Sequence, residues 1–575
     1  MDTLLWKIGG EAGFGIMTVG VDFSKLATKS GYYTASYAEY PSLIRGGHNT
    51  FEIHVSPKKI RSSKNLIDVL VCLNPDTYKL HQDRLTAESR VIYDKELFPA
   101  DFIPPAHAIE VPIKKIVRDL KGSTVMMNTV AMGASVAVLQ WRLQDLFDMI
   151  EHAFGDKGEA VVAMNKGLAQ AGYDHVVANS REHFITDFLP KPITEPQLVM
   201  TGNDAFSLGA VTGDCRLYVA YPMTPSSTVI ERLASWAETT GMIVRHAEDE
   251  ISVIMTAIGG SFAGARAACG TSGGGFALMN EAVSLSGIAE VPLVIFLSQR
   301  PGPATGLPTW MEQGDLLYAV HSGHGEFPKI VLAPGDIEEM YAMTAEAFNL
   351  ADIYQTPVIV LSDKHLSESY WSTSKMSYDL FSKSFEIERG KITRRVDDEQ
   401  YLRYKLTDDG ISPMLIPGQE GKHYQTNSYE HDEYGHSFEG AENRKAQVEK
   451  RDRKNETYLK THFKMPQIYG NLEEADDIFV TWGSNKGVIL DAMEYLEKQG
   501  KKVAMIHFTY VFPLDAEAIA PLFTHKGRYI LVENNSRGQF GRLLRQETGI
   551  QIGPKILKYD GRQFFVEEIV GLIKS

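Results

Sequence analysis

The 575-residue sequence predicts a multi-domain α/β protein. Three observations carry that reading. Short apolar runs of strand length each end in a Gly- or Pro-rich polar turn, a proline-bearing connector separates two such regions, and strand–turn–helix order returns near the C-terminus after a long polar stretch. At 43% hydrophobic and 10% aromatic, the chain can bury several cores.

The first element is the apolar run Leu4 to Ile8. It is followed by a turn, Gly9-Gly10-Glu11-Ala12-Gly13-Phe14-Gly15, and by a helical stretch from Met17 to Ser30. Such a unit offers backbone N–H groups and a helix N-terminus to a phosphate. A tight strand-to-helix turn and a dinucleotide fingerprint are the competing readings, and the fingerprint lacks its acid at the end of the second strand. Tyr40 to Asn49, with Arg45 between two apolar residues and two glycines, separates the run Tyr33 to Tyr37 from the alternating strand Thr50 to Val55. Met126-Met127-Asn128 precedes a further helix. The connector at 189–196 carries three prolines and favours an extended linker.

Three strand-end turns mark the centre. Tyr221-Pro222-Met223-Thr224-Pro225-Ser226-Ser227 follows Leu217 to Ala220, His246-Ala247-Glu248-Asp249-Glu250 follows Met242 to Val244, and Gln299-Arg300-Pro301-Gly302-Pro303 follows Leu293 to Leu297. In open α/β sheets ligands collect at the carboxyl ends of strands, so the three turns can converge on one crevice. Their content suits half of a thiamine diphosphate site. Thiamine chemistry needs a carboxylic acid beside N1′ of the aminopyrimidine, which promotes removal of the thiazolium C2 proton, and Glu250 is the candidate. Arg300, always charged and fork-shaped, suits a substrate carboxylate; Thr224 adds a hydroxyl donor. Taken alone, Glu250 also reads as a solvated acid favouring a helix dipole. Between these turns, Gly259, Gly260, Ala263 and Gly264 line one face of a helix, and Gly273 to Gly275 reads as a Gly-rich turn. Later strands are expected at Lys329 to Leu332 and Thr356 to Leu361.

From Ser372 to about Phe463 the sequence is polar, with few apolar periods. His423, His431 and His436 fall there beside Glu430, Asp432 and Glu433, in a spacing that fits no common zinc pattern, and no metal is assigned to the chain. Order returns with strands at Ile478 to Thr481, Val503 to Phe508 and Tyr529 to Glu533, and a helix from Val488 to Gln499.

A formal charge of −15 argues against general nucleic-acid binding, no run reaches the length of a membrane span, and the N-terminal residues lack a signal-peptide pattern. Three scattered cysteines, Cys72, Cys215 and Cys269, argue against a disulfide scaffold and against cluster ligation. A cytoplasmic protein is expected.

The three central turns, the stretch from Glu248 to Ala282 and the segment QRPGPATGLPTWMEQGD (Gln299 to Asp315) together resemble the pyrimidine-binding domain of the 2-oxoacid:ferredoxin oxidoreductases. Residues 1–188 resemble that family's gamma-type domain, and 471–575 the transketolase C-terminal-like domain. The resemblance implies a gamma-type coenzyme A domain (1–188), a linker (189–196), a thiamine pyrimidine-binding domain (197–370), an extended arm (371–470) and the C-terminal domain. It implies thiamine contacts from Tyr221, Pro222, Met223, Thr224 and Glu250, coenzyme A contacts from Gly13, Phe14, Gly15, Arg45 and Asn128, and substrate contacts from Thr224, Arg300 and Arg45. Lys486 and Arg537 receive no catalytic role. No Gly-Asp-Gly occurs in the chain, so the resemblance places the diphosphate, Mg²⁺ and a [4Fe-4S] cluster on a partner beta subunit, in a dimer of alpha–beta heterodimers.

The implied reaction joins a 2-oxo acid and coenzyme A, with ferredoxin as electron acceptor, to give acyl-coenzyme A and carbon dioxide, in either direction. By analogy with gamma-fused alpha subunits, 2-oxoglutarate and succinyl-coenzyme A are preferred over pyruvate or branched-chain oxo acids. Two other readings stay open: a cluster-free component of the transketolase class, and a catalytically silent regulatory or assembly subunit.

Overall fold

A computed structural model describes residues 3–42, 47–193, 195–397 and 400–573. The chain forms two compact units, one of residues 1–200 with 368–377 and one of 201–367 with 378–575. Among the described residues no helix is long and apolar enough to cross a membrane.

The first unit is built on an eight-stranded sheet. Its strands lie in the order Ala108–Glu110, Leu85–Tyr93, Ile67–Cys72, Leu4–Glu11, His48–Ser56, Tyr33–Glu39, Trp371–Ser374, Gln197–Met200. One face packs on the helices Ile16–Lys29 and Met127–Val138, where Trp6 stacks on Phe23 at 4.1 Å and its indole N–H donates to Ser135 Oγ. On the other face of the strand, Lys7 is fully buried between Glu39 (3.2 Å) and Glu52 (3.1 Å), and Arg84 adds a 2.8 Å contact to Glu52. A buried cation is tolerable there only because carboxylates surround it.

This sheet departs from the expected boundaries. Gln197–Met200 and Trp371–Ser374, assigned from sequence to the central domain and the arm, pair antiparallel with each other, and Trp371 pairs with Ala35. Both therefore extend the first sheet. The edge of Tyr33–Glu39 leaves backbone groups that need partners, and Ser36 N donates to Tyr370 O while Thr34 N donates to Ser372 Oγ.

The second unit holds a seven-stranded sheet in the order Tyr510–Phe512, Ile330–Leu332, Pro357–Asp363, Leu293–Gln299, Ala267–Thr271, Leu217–Ala220, Ile243–His246. All neighbours run parallel except the first pair. The strand Ala267–Thr271 is absent from the sequence reading. Gly270 within it has no room for a side chain because Tyr218 of the neighbouring strand lies across it: a Cβ there would stand 2.0 Å from the Tyr218 hydroxyl. The supposed turn at Gly273 to Gly275 is instead the first turn of the helix Gly273–Ala289. Of the four small residues before it, Gly260 packs on Leu217 and Gly264 on Ile416, whereas a Cβ at Gly259 would meet open space.

A second sheet in this unit orders Gln467–Tyr469, Val503–Phe508, Asp477–Trp482, Arg528–Glu533 and Lys555–Leu557. It shares one apolar core with the central sheet, from Val219 and Ile295 through to Ile478 and Leu531. Lys486 ties the two sheets together by contacts of 2.6 Å to Asp336 and 2.5 Å to Glu339.

The polar stretch is ordered too, and it includes the 21-residue helix Ala441–Thr461. Its buried residues Gln447, Lys450, Arg451, Lys454 and Tyr458 recur at helical spacing, so the buried stripe is polar and escapes a search for apolar periods. Lys450 and Lys454 close on the fully buried carboxylate of Glu290. Burial opposes ionisation of Glu290, yet the two lysines hold its carboxyl well below the usual carboxylate range. Arg403 donates to Glu290 O and to Gln355 Oε1. His431 packs on the Tyr404 ring at 3.9 Å, whereas His423 and His436 are exposed.

Removing one partner of a buried ion cluster leaves charge without compensation. Glu290→Gln is therefore expected to destabilise the second unit by about 3–5 kcal/mol. Loss of the exposed Glu494–Lys498 pair should cost less than about 0.5 kcal/mol. Thermal-denaturation midpoints of the two variants compare them directly; equal midpoints would refute a stabilising role for the cluster.

Candidate active site

The three strand-end turns lie in the second unit and converge on the start of the helix Gly273–Ala289. After Leu217–Ala220 the chain turns sharply at Met223, whose carbonyl accepts from both Ser226 N and Ser226 Oγ. Asn203 Nδ2 donates to Pro225 O at 2.7 Å. The held turn presents Thr224 O to Arg300 Nη1 at 2.6 Å. Thr224 and Arg300 are thus brought together through the threonine carbonyl. Tyr221 and Pro222 are exposed beside them, with the Tyr221 ring 5.8 Å from His246.

Glu250 opens the helix Glu250–Phe262 but does not serve its dipole from solvent. Asp249 takes the capping role, accepting from Ser252 N at 2.8 Å with its backbone at φ +63°. Glu250 is only 3% exposed, and its Oε1 is buried without a hydrogen-bond partner. The solvated-acid reading therefore fails. A buried carboxyl oxygen left unpaired costs free energy unless something binds it.

The helix Gly273–Ala289 begins with three residues that lack side chains, and the space around each is used differently. A Cβ at Gly273 would lie 2.4 Å from Asp315 Oδ2. One at Gly274 would meet only Ala304 O and Met223 Sδ near 4 Å. At Gly275 it would collide with Thr271 Oγ1 at 2.3 Å and Glu250 Oε1 at 2.4 Å. Ser272, at the cap position, has a buried hydroxyl with no partner, and no acid occupies the first turn. The partial positive charge of the helix start is left facing the site. The unpaired Glu250 oxygen and this glycine cradle fit a flat heterocycle bearing a ring nitrogen, as an aminopyrimidine does.

Arg300 is partly buried, and its Nε has no partner. Burial lowers its pKa from the ordinary arginine value, with Asp315 acting the other way. The loop that follows is fixed at its far end. Gln299 Oε1 accepts from Asp315 N at 2.8 Å, Gln313 N donates to Asn534 O, Asn485 Nδ2 donates to Gln313 Oε1, and Asn535 Nδ2 donates to Gln313 O. Thr271, Glu312, Gln313 and Asp315 were not singled out from sequence. The last three stand inside the segment quoted from Gln299 to Asp315, and only Arg300 in it has a charge whose use is evident without a fold.

In the first unit the first strand runs on through Gly9, Gly10 and Glu11, so the expected turn is confined to residues 12–15. Gly13 and Gly15 have φ of 97° and 66°, which favour glycine. Asn128 Nδ2 donates to Phe14 O at 2.9 Å, and Asn128 Oδ1 accepts from Thr129 Oγ1. Asn128 thus shapes the turn formed by Gly13, Phe14 and Gly15. Arg45 lies outside the described residues. The second strand does end in an acid, Glu39, contrary to the sequence reading. That acid is tied to Lys7, and the strand Leu4–Glu11 pairs antiparallel with His48–Ser56 and parallel with Ile67–Cys72, an arrangement unlike the dinucleotide fingerprint.

Known proteins agree with this architecture. Residues 208–450 match the family described as pyruvate flavodoxin/ferredoxin oxidoreductase, thiamine diP-bdg; residues 5–175 match pyruvate ferredoxin/flavodoxin oxidoreductase, and 471–547 the transketolase C-terminal domain. The 2-oxoacid:ferredoxin oxidoreductase subunit alpha of Saccharolobus solfataricus is 33% identical over 631 residues, covering 99% of this chain and 97% of that protein. The 2-oxoglutarate oxidoreductase subunit KorA of Mycobacterium tuberculosis is 26% identical, covering 100% of this chain and 92% of that protein. A solved structure of 2-oxoglutarate:ferredoxin oxidoreductase from Magnetococcus marinus, with 2-oxoglutarate, coenzyme A and succinyl-CoA bound, is 31% identical with a TM-score of 0.90 and covers 100% of this chain and 99% of its own. With a relative above 30% identity matched over nearly its whole length, the chain belongs to the 2-oxoacid:ferredoxin oxidoreductases, an oxidoreductase family, as an alpha subunit.

Proposed function

We propose that this chain is the alpha subunit of an enzyme that converts 2-oxoglutarate and coenzyme A to succinyl-coenzyme A and carbon dioxide, passing electrons to ferredoxin, or runs the reverse carboxylation. The observation that carries the reading is the buried, unpartnered Oε1 of Glu250 at the glycine-cradled start of the helix Gly273–Ala289. Preference for 2-oxoglutarate is supported by the relatives and the solved structure named for it.

Thiamine diphosphate, when bound, supplies a carbon nucleophile for the oxo group and a sink for the electrons of decarboxylation. Glu250 holds a proton at N1′ of its pyrimidine. Met223, Thr271 and the start of the helix Gly273–Ala289 border the ring site, with Tyr221 and Pro222 at its edge. Arg300, steadied by Thr224 O, binds the oxo-acid carboxylate, and its fork orients that carboxylate for departure. Gly13, Phe14, Gly15 and Asn128 form the coenzyme A phosphate turn in the first unit, and Arg45 contacts the coenzyme or the substrate.

The diphosphate, its Mg²⁺ and a [4Fe-4S] cluster are assigned to an accompanying beta subunit. That assignment draws on the absence of Gly-Asp-Gly and on the buried state of Cys72, Cys215 and Cys269. Burial pushes the thiols of Cys215 and Cys269 up to about 12, far from the thiolate form that cluster ligation needs.

The test is reduction of a viologen dye by the anaerobically purified complex, with 2-oxoglutarate or pyruvate and with or without coenzyme A. Coenzyme A-dependent reduction with 2-oxoglutarate is expected; faster reduction with pyruvate would move the substrate assignment. Glu250→Gln should lower turnover by about 10²- to 10⁴-fold while leaving the thermal midpoint in place, and undiminished turnover would favour the silent-subunit reading. Arg300→Ala should raise the KM for the oxo acid far more than that for coenzyme A; an equal rise in both would remove Arg300 from the carboxylate site.

A further inference from the structure

The residue before Glu250 holds a backbone conformation that its capping bond does not need. Asp249 stands at φ 63° and ψ 161°, a region that only glycine enters without cost. Glu290 and Gln355, which also have positive φ, take ψ of 47° and 59° at helix ends, the left-handed pocket that other residues enter more readily. Capping does not account for the difference. Asp336 and Asp515 accept from the backbone N–H three residues on, as Asp249 does, from φ of −152° and −83°. Packing on the side chain does not account for it either, since Glu248 and Asp249 are exposed and burial resumes at Glu250.

The chain around Asp249 shows what the turn achieves. The strand Ile243–His246 is prolonged by Ala247, whose N–H donates to Ala220 O at 3.2 Å, and the helix opens at Glu250. Glu248 and Asp249 alone must therefore turn the chain back, while Val253, Ile254 and Ala257 of the helix enter the core. With that turn the first helical side chain faces inward, and Glu250 Oε1 lies 2.4 Å from the Cβ position of Gly275.

One side chain grips both peptide groups of the strained residue. Ser252 Oγ donates to Glu248 O and, at 3.0 Å, to Asp249 O, the carbonyls on either side of Asp249. Ser252 N in turn donates to Asp249 Oδ1 at 2.8 Å. The φ and ψ of Asp249 are the two rotations that separate those carbonyls, so the bonds to one serine restrain both. We propose that Ser252 and Asp249 form a clasp that holds this strained turn and thereby aims the Glu250 carboxyl at the ring site, which makes them positioning residues for the proton held at N1′. The clasp's purpose rests on the role given to Glu250 in the proposed reaction. Without it the backbone relaxes toward the extended caps of Asp336 and Asp515, and the helix start turns with it. A displacement of about 1 Å at a reacting contact costs on the order of 10²-fold in rate.

Exchange of the thiazolium C2 proton for deuterium tests the clasp, because it needs no oxo acid, coenzyme A or electron acceptor. It is followed by quenched-flow NMR on the complete anaerobic complex loaded with thiamine diphosphate, beside the thermal midpoint of each variant. Ser252→Ala is expected to slow exchange by about 10- to 100-fold, and Ser252→Thr, which keeps the hydroxyl, to recover most of the rate. In Asp249→Gly the backbone accepts the same turn without strain but loses its side-chain bond, so the midpoint should hold while exchange slows by a similar factor. That variant decides the matter if Ser252→Ala does not fold. Wild-type exchange in Ser252→Ala or in Asp249→Gly, or a loss that Ser252→Thr does not recover, overturns the clasp; slow exchange in Glu250→Gln alongside leaves the functional reading standing. Wild-type exchange in Glu250→Gln removes that reading and the clasp with it.

Discussion

The site depends on one helix start that presents no side chains. Gly273, Gly274 and Gly275 open the helix Gly273–Ala289, and loops from three different strands close on them: Met223 from one, Glu250 from another, Ala304 and Asp315 from the third. A methyl group at the first or last of these positions would drive a carboxylate away. Parallel strands place their C-terminal loops at one end of the sheet, but only the missing Cβ atoms let those loops approach the helix start this closely. The same approach brings the buried, unpaired Glu250 oxygen against the helix start beside Thr271.

Elsewhere the second unit resolves its buried charge internally. Glu290 ends the same helix, in a left-handed backbone conformation at φ 52°, and receives Lys450 and Lys454 from the distant helix Ala441–Thr461. One end of the helix Gly273–Ala289 therefore carries a satisfied carboxylate locked by two cations, and the other faces one that has no partner. The contrast separates a carboxylate that holds structure from one with a buried, unpaired oxygen.

Much of this organisation was legible in the sequence, for reasons specific to each element. The turns at 221–227, 246–250 and 299–303 stand out because Gly and Pro punctuate apolar runs, and those runs are strands. The strand Ala267–Thr271 was hidden because it is made of small residues, among them Gly270, whose missing side chain makes room for the Tyr218 hydroxyl of the next strand. Trp371–Ser374 was misplaced because its partners lie in the first sheet, more than 300 residues away in the case of Ala35, and no local pattern encodes that pairing. The helix Ala441–Thr461 was missed because its buried stripe is charged. At the site, Glu250 and Arg300 were candidates from residue type and position, but the burial of Glu250 is a property of packing. Asp315 and Gln313 act through neighbours that only the fold supplies.

The loop between Arg300 and Gln313 has a further consequence. Its first residue grows out of a central strand and its last is sewn to Asn485, Asn534 and Asn535 of the C-terminal sheet, so both ends are set by the frame rather than by the loop itself. Between them the chain crosses left-handed positions at Ala304 and Gly306 and is largely exposed from 302 to 306. Such a segment is a cassette with fixed terminals. Its interior can be exchanged for another sequence of equal length while Arg300 and Gln313 stay where they are.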